Sequence, residues 1–184
     1  QCVGSRDKDR PYCSRVCCSQ AIKDALALKK INPDMEIYIL YRDMRTYGFR
    51  EDYYREAADQ GVIFIRYDAD DKPELEAVEA NGRSVLRVLI TEPVLGQRLM
   101  LDADMLALGV ATVPPTGSRK LSQLLKVPLN EDGFFMEAHM KLRPVDFATD
   151  GIFMAGLAHG PKFIDESVAQ AEAAASRAMT ILSR

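Results

Sequence analysis

All four cysteines of this 184-residue chain, Cys2, Cys13, Cys17 and Cys18, fall in its opening stretch, QCVGSRDKDRPYCSRVCCS. Thiolates are strong nucleophiles and soft metal ligands, so four of them this close in sequence raise three chemistries. The favoured reading is a [4Fe-4S] cluster, which needs four thiolates converging on one small cube. The adjacent pair Cys17 and Cys18 can address different corners of a cube, whereas a tetrahedral zinc site more often draws its ligands from C-x2-4-C pairs. Zinc is the second reading. A disulfide or redox pair is the third, weakened because adjacent cysteines rarely pair with each other and nothing else suggests secretion. A helical pattern starts just after the cysteines. Its N-terminus near Cys17 would offer free N–H groups and the positive end of the helix dipole to an anionic cluster, with Arg6, Arg10 and Arg15 adding charge.

The elements that must position these thiols follow in order. From Gln20, the sequence AIKDALALKKI places Ile22, Ala25 and Leu26 on one helical face, and Asn32-Pro33-Asp34 stops the helix. Glu36 to Tyr41 is short, apolar and β-rich, as expected of a buried parallel strand. A second helix is expected around Glu51 to Gln60, ended by Gly61, and then a buried strand over Val62 to Ile65. Helix, strand, helix, strand is the doubly wound α/β pattern. Three runs separated by turn signals follow, Leu75 to Ala80, Val85 to Ile90 and Arg98 to Leu101, and read as an antiparallel meander. Met105 to Thr112 is expected to return to the parallel sheet as an apolar strand stopped by Pro114-Pro115. The first domain is placed at residues 1–115 and the second at 116–184. In the latter, Arg119 to Lys126 reads as a short helix and Phe134 to Leu142 as an alternating strand with His139 on its solvated face. Gly151 to Gly156 reads as a buried strand running into a glycine turn, and Asp165 to Ser183 as an alanine-rich helix.

Composition narrows the function. Hydrophobic residues make up 47% and charged residues 28%, ordinary for a globular protein, and the net charge of −3 argues against a general nucleic-acid or membrane-surface binder. No run approaches the ~18 apolar residues of a membrane span, and no signal peptide is visible. The chain opens on Gln, with a metal-type motif at position 2, so it is expected to be a piece of something longer.

The order of parts, with its "G-F-F" hairpin and "D-G-I-F-M-A-G" before an alanine-rich helix, resembles the pyridine-nucleotide-disulfide oxidoreductase fold. The resemblance covers its Rossmann-like nucleotide-binding domain and the closing segment of its FAD-binding domain. More narrowly, C-V-G-S-R-D (Cys2 to Asp7), Y-C-S-R-V-C-C (Tyr12 to Cys18) and G-P-K followed by D-E-S-V-A-Q-A (Gly160 to Ala171) resemble the family of A-type heterodisulfide reductase subunits. That resemblance implies a cytoplasmic iron-sulfur flavoprotein subunit of anaerobic energy metabolism, methanogenesis included, whose flavin can split electron pairs between acceptors. It implies that Cys2, Cys13, Cys17 and Cys18 are the cluster ligands. It also places Gly156, Leu157, Ala158, Lys162, Ser167 and Val168 near FAD, with other complex subunits and a ferredoxin or hydrogenase-like donor as partners. His159 stands beside the same turn and is more readily structural than a cofactor contact.

Two departures from the wider class stand out. Leu157 occupies the position after A-G where Asp is usual, and the first strand-to-helix turn keeps only Gly4 of its glycines, so NAD(P) binding is not expected there and Arg42 and Asp43 read as surface residues. The Gly-rich ADP turn of an FAD domain is missing as well. Residues 116–184 are therefore expected to expose apolar surface, which favours a homodimer or disorder, and the fragment alone to be inactive. Two other functions compete: a pyridine-nucleotide-dependent thiol/disulfide oxidoreductase domain, and a zinc-stabilised interaction module.

Overall fold

The computed structural model describes residues 1–80 and 82–183. It is mixed α/β, with contacts dividing it into two units: Gln1–Asp7 with Cys17–Val110, and Lys8–Val16 with Ala111–Arg184.

The first unit opens with helix α1, Cys17–Ile31, whose buried face is Cys17, Cys18, Ile22, Ala25 and Leu26. Strand β1, Tyr38–Tyr41, helix α2, Arg50–Asp59, and strand β2, Ile63–Arg66, follow. β1 and β2 pair in parallel from Tyr38 opposite Ile63 to Tyr41 opposite Arg66. Ile22, Ala25, Leu26, Ile39, Ala57 and Val62 form one core between the helices and this pair. Ile22 is 1% exposed, burial that contributes about 1.5–3 kcal/mol. The meander is present as β3, Glu74–Ala80, β4, Arg83–Glu92, and β5, Gln97–Ala103, in the order β3-β4-β5 and antiparallel throughout. Ile90 from β4 closes a second core with Ile65 and Tyr67.

The expected strand from Met105 to Thr112 does not form. Only Val110 pairs, in an isolated parallel bridge with Val3, and the Val3 N–H donates to the Gly109 carbonyl at 3.0 Å. Met105 and Leu108 are 83% and 55% exposed, so apolar composition here reports an uncovered segment rather than a buried strand.

The second unit has helix α3, Ser118–Leu125, a short 3-10 turn, Gly156–Ala158, and helix α4, Ile164–Leu182. Its core gathers Val127, Phe135, Phe147 and Met154. Phe134 to Leu142 is not an alternating strand. Phe134 and Phe135 are both buried, at 3% and 8% exposure, the stretch holds isolated bridges at Phe135 and His139, and it is entered through a turn in which Asn130 Oδ1 accepts the N–H groups of Asp132 and Phe134. Gly151 to Gly156 likewise holds one isolated bridge, Asp146 with Phe153, instead of a full strand. His139 is exposed, and its Nδ1 accepts the N–H groups of Lys141 and Leu142 in a tight turn. No residue of α4 is buried, and Ile164 and Leu182 are each 84% exposed. Among the described residues no helix is long and apolar enough to cross a membrane.

Candidate functional site

The cysteine-bearing loop is held in unusual backbone geometry. Among the described residues, the non-glycine residues with positive φ are Cys2 (63°), Arg6 (57°), Arg15 (60°) and Lys126 (55°), and Gly4 adds 73°. A left-handed residue with a side chain costs about 1–2 kcal/mol, so three of these on one loop mark a segment held by its surroundings.

In the first unit, Cys17 and Cys18 are the first two residues of α1 and are 8% and 3% exposed. The first turn of α1 carries no acidic residue, so its dipole meets no built-in carboxylate from its own sequence. The Cys18 thiol is lowered to about 6, first by a hydrogen bond from Cys17 and then by the Arg45 backbone and the Arg45 charge, against the opposing effect of burial. Protonated, its Sγ reaches the Asp43 carbonyl at 3.8 Å. Arg6 lies with Nη1 4.0 Å from Cys2 Sγ and donates through Nη2 to Asp43 at 2.5 Å. Arg42 donates to the Arg6 carbonyl at 2.7 Å, and Arg66 reaches Asp43 at 3.7 Å. Arg42 and Asp43 are thus tied to the segment that carries Cys2. Arg6 and Asp43 shift in opposite directions. Burial opposes the rise of the guanidinium, which its bonds to Asp43 and Cys2 still carry upward, and Arg6 draws the carboxyl down.

Cys13 belongs to the second unit, where the Arg15 N–H donates to its Sγ at 3.2 Å. Its segment is anchored there by Tyr12, whose hydroxyl donates to the Thr112 carbonyl at 2.8 Å and whose ring meets Phe134 edge to face at 5.5 Å. Ser14 Oγ accepts the Thr112 N–H at 2.9 Å. None of the four cysteines is joined in a disulfide. Among the described residues no three His, Cys, Asp or Glu side chains gather closely enough to hold a single metal ion. A cluster spreads its thiolates over several irons, so the donor chemistry fits such a group: four thiols, one acidified, with two of them on a helix start that has no acid of its own.

The second candidate region is the glycine turn. Gly156 has φ +67°, and a Cβ there would lie 3.9 Å from Ser167, so the turn rests on the first turns of α4. The Gly156 N–H donates to Gln170 Oε1 at 2.9 Å. Leu157 and Val168 are each 52% exposed, and Ala158 is exposed beside them. Ser167 Oγ donates to the Phe163 carbonyl at 2.9 Å. The Phe163 N–H donates to Glu166 Oε2 at 2.8 Å, half of a capping box. The N-terminus of α4 therefore already meets a carboxylate, together with Asp165 in the same turn, and offers less positive potential than the acid-free start of α1. Lys162 is lowered, chiefly by burial, and its Nζ stands 3.2 Å from His159 Nδ1. The ring's Nε2 is 2.8 Å from Glu137, and burial works against a Glu137 shift that its own backbone N–H and His159 still carry downward. Glu137 had no sequence signal, since the bond that places it joins residues 22 positions apart, whereas Gln170 lies within the D-E-S-V-A-Q-A motif. The backbone-open turn, the exposed apolar pair and Lys162 suit the edge of a large planar cofactor.

No protein-family model matches the chain. Curated proteins do. It is 47% identical over 181 residues to the A-type subunit of the "H(2):CoB-CoM heterodisulfide,ferredoxin reductase" of Methanothermobacter thermautotrophicus, covering 96% of this chain and 27% of that one. It is 42% identical over 186 residues to the A-type subunit of the "Ferredoxin:CoB-CoM heterodisulfide reductase" of Methanosarcina acetivorans, covering 99% and 22%. A protein of Archaeoglobus profundus, named for its likeness to the A-type heterodisulfide reductase subunit, is 39% identical, covering 98% and 25%. The chain spans about a quarter of the length of the curated relatives it matches.

Proposed function

Because the chain is homologous along nearly its whole length to part of the A-type subunit of heterodisulfide reductase, we propose that it is the electron-transfer segment of an iron-sulfur flavoprotein of that kind. Cys2, Cys13, Cys17 and Cys18 hold a [4Fe-4S] cluster, and Gly156, Leu157, Ala158, Lys162, Ser167 and Val168 face FAD. When bound, the cluster supplies one-electron transfer and the flavin exchange of electron pairs. The observation that carries the reading is the start of α1, where Cys17 and Cys18 stand in a first turn without an acidic residue and one thiol is acidified to about 6. That acidity favours the thiolate, the form in which cysteine binds iron.

The chain's own residues do the rest. Arg6 brings positive charge to Cys2, the Arg15 N–H points at the Cys13 sulfur, and Lys162 sets a cation beside the glycine turn. In this reading residues 1–115 are a Rossmann-like domain whose phosphate turn was given over to cysteines, and 116–184 close an FAD-binding domain. Its partners are the other subunits of a heterodisulfide reductase-type complex and a ferredoxin or hydrogenase-like donor.

The test is anaerobic reconstitution with iron and sulfide, then iron analysis and an EPR spectrum of the reduced protein, on wild type and Cys17→Ser. About four irons per chain, with a signal lost or altered in the variant, is the expected result. One zinc per chain and no iron would replace the reading with a zinc-stabilised module.

A further inference from the structure

Arg15 joins two places that the sequence keeps far apart. Its backbone sits at φ 60°, and in that conformation its own N–H turns back on Cys13 Sγ at 3.2 Å. Its side chain runs the other way. Nη1 donates to the Pro161 carbonyl at 3.1 Å and Nη2 to Glu166 Oε1 at 2.5 Å, across 146 and 151 residues of sequence. Glu166 spends its second oxygen on the Phe163 N–H, so one carboxylate binds both Arg15 and the first turn of α4. Lys162, next to Pro161, also feels the Arg15 charge.

From Lys162 the contacts continue to the glycine turn. The Gly156 N–H fixes the Gln170 amide, its oxygen toward the turn and its nitrogen toward His159 Nδ1 at 2.9 Å. Nδ1 thus faces two donors, the Gln170 amide and the Lys162 ammonium, and serves as acceptor. The ring proton lies on Nε2 and is donated to Glu137. Every link from Cys13 to Gly156 is polar and lies within the second unit.

We propose that Arg15 is a positioning residue that couples the cysteine site to the Gly156 turn, a role that rests on the cluster reading above. Cys13 holds the Arg15 N–H while Glu166 holds the guanidinium, so negative charge arriving at Cys13 pulls on the residue that braces the start of α4 and loosens that brace. By linkage, a firmer brace at Glu166 makes that charge harder to accommodate.

The experiment uses the whole chain, reconstituted anaerobically, as wild type, Arg15→Met, Arg15→Lys and Arg15→Gly. The midpoint potential comes from an EPR-monitored titration, and hydrogen exchange of amides 163–167 is followed in the oxidised and reduced protein. Arg15→Met is expected to leave about threefold to tenfold less cluster reduced at a fixed potential, because a nearby partly screened cation is gone. Arg15→Lys restores the potential through its charge. Exchange at 163–167 speeds up on reduction in wild type, and is fast and indifferent to reduction in Arg15→Met. Arg15→Gly keeps the left-handed backbone without strain and matches Arg15→Met, which separates the side chain from the backbone bond. If wild type binds iron and Arg15→Met has the same potential and the same exchange, the coupling is wrong while the cluster stands. If wild type binds no iron, both fail.

Discussion

Asp146 shows what a single buried charge does in the second unit. Its side chain is 3% exposed and accepts Arg177 through both oxygens, Nε at 3.1 and 3.2 Å and Nη2 at 2.9 Å, with Arg143 at 3.4 Å. The Arg177 guanidinium holds its carboxyl below the usual range. A folded-state value below the unfolded one means stability that is present above about pH 4 and lost as pH falls through the folded value. Asp146→Asn is expected to cost about 2 kcal/mol at pH 7 and to flatten the acid limb of a urea-midpoint profile. A variant with an unchanged midpoint at pH 7 would show that the pair contributes nothing. Gly156→Ala is expected to cost about 1 kcal/mol by calorimetry from its φ of +67° alone, since the added methyl meets Ser167 only at ordinary contact distance. The thiols, Gly156 and Lys162 are visible in the sequence because each belongs to a short motif. Asp146 and Glu137 are not, because their partners are set by the fold across 31 and 22 residues.

The elements of the first unit were largely legible. Helical spacing of Ile22, Ala25 and Leu26 marks the buried face of α1, and turn residues between the runs mark β3, β4 and β5. What failed was inference from apolar content without a paired neighbour. Among the described residues, 105–112 find only Val3 to pair with, and His139 caps Lys141 and Leu142 into a turn where alternation was expected. α1 has a second duty, because the face that buries Ile22 also fixes Cys17 and Cys18. Ile22→Ala is therefore expected to cost about 2–5 kcal/mol in urea unfolding. It should also slow iron uptake relative to Leu28→Ala, a substitution on the exposed side of the same helix.

At the scale of the molecule, neither unit is one continuous stretch of chain. The second takes residues 8–16 from the N-terminal region and binds them through Tyr12, Ser14 and Arg15. Residues 111–184 expressed alone are expected to show a lower urea midpoint for α4 than the same residues in the whole chain, and added 8–16 peptide should raise it. Equal midpoints would mean the borrowed segment is dispensable.

That borrowing has a consequence for synthesis. Tyr12 waits for Thr112, 100 residues later, and Arg15 for Glu166, 151 residues later. At the ribosome's pace of ~5–20 residues per second, the first wait alone lasts about 5–20 seconds. Through that interval Cys13 is a thiol on an unplaced thread, open to oxidants and stray metals before its own unit exists. The hazard is set by the clock of translation rather than by folded stability, and in an oxidising cell slower codons between 16 and 112 would enlarge it.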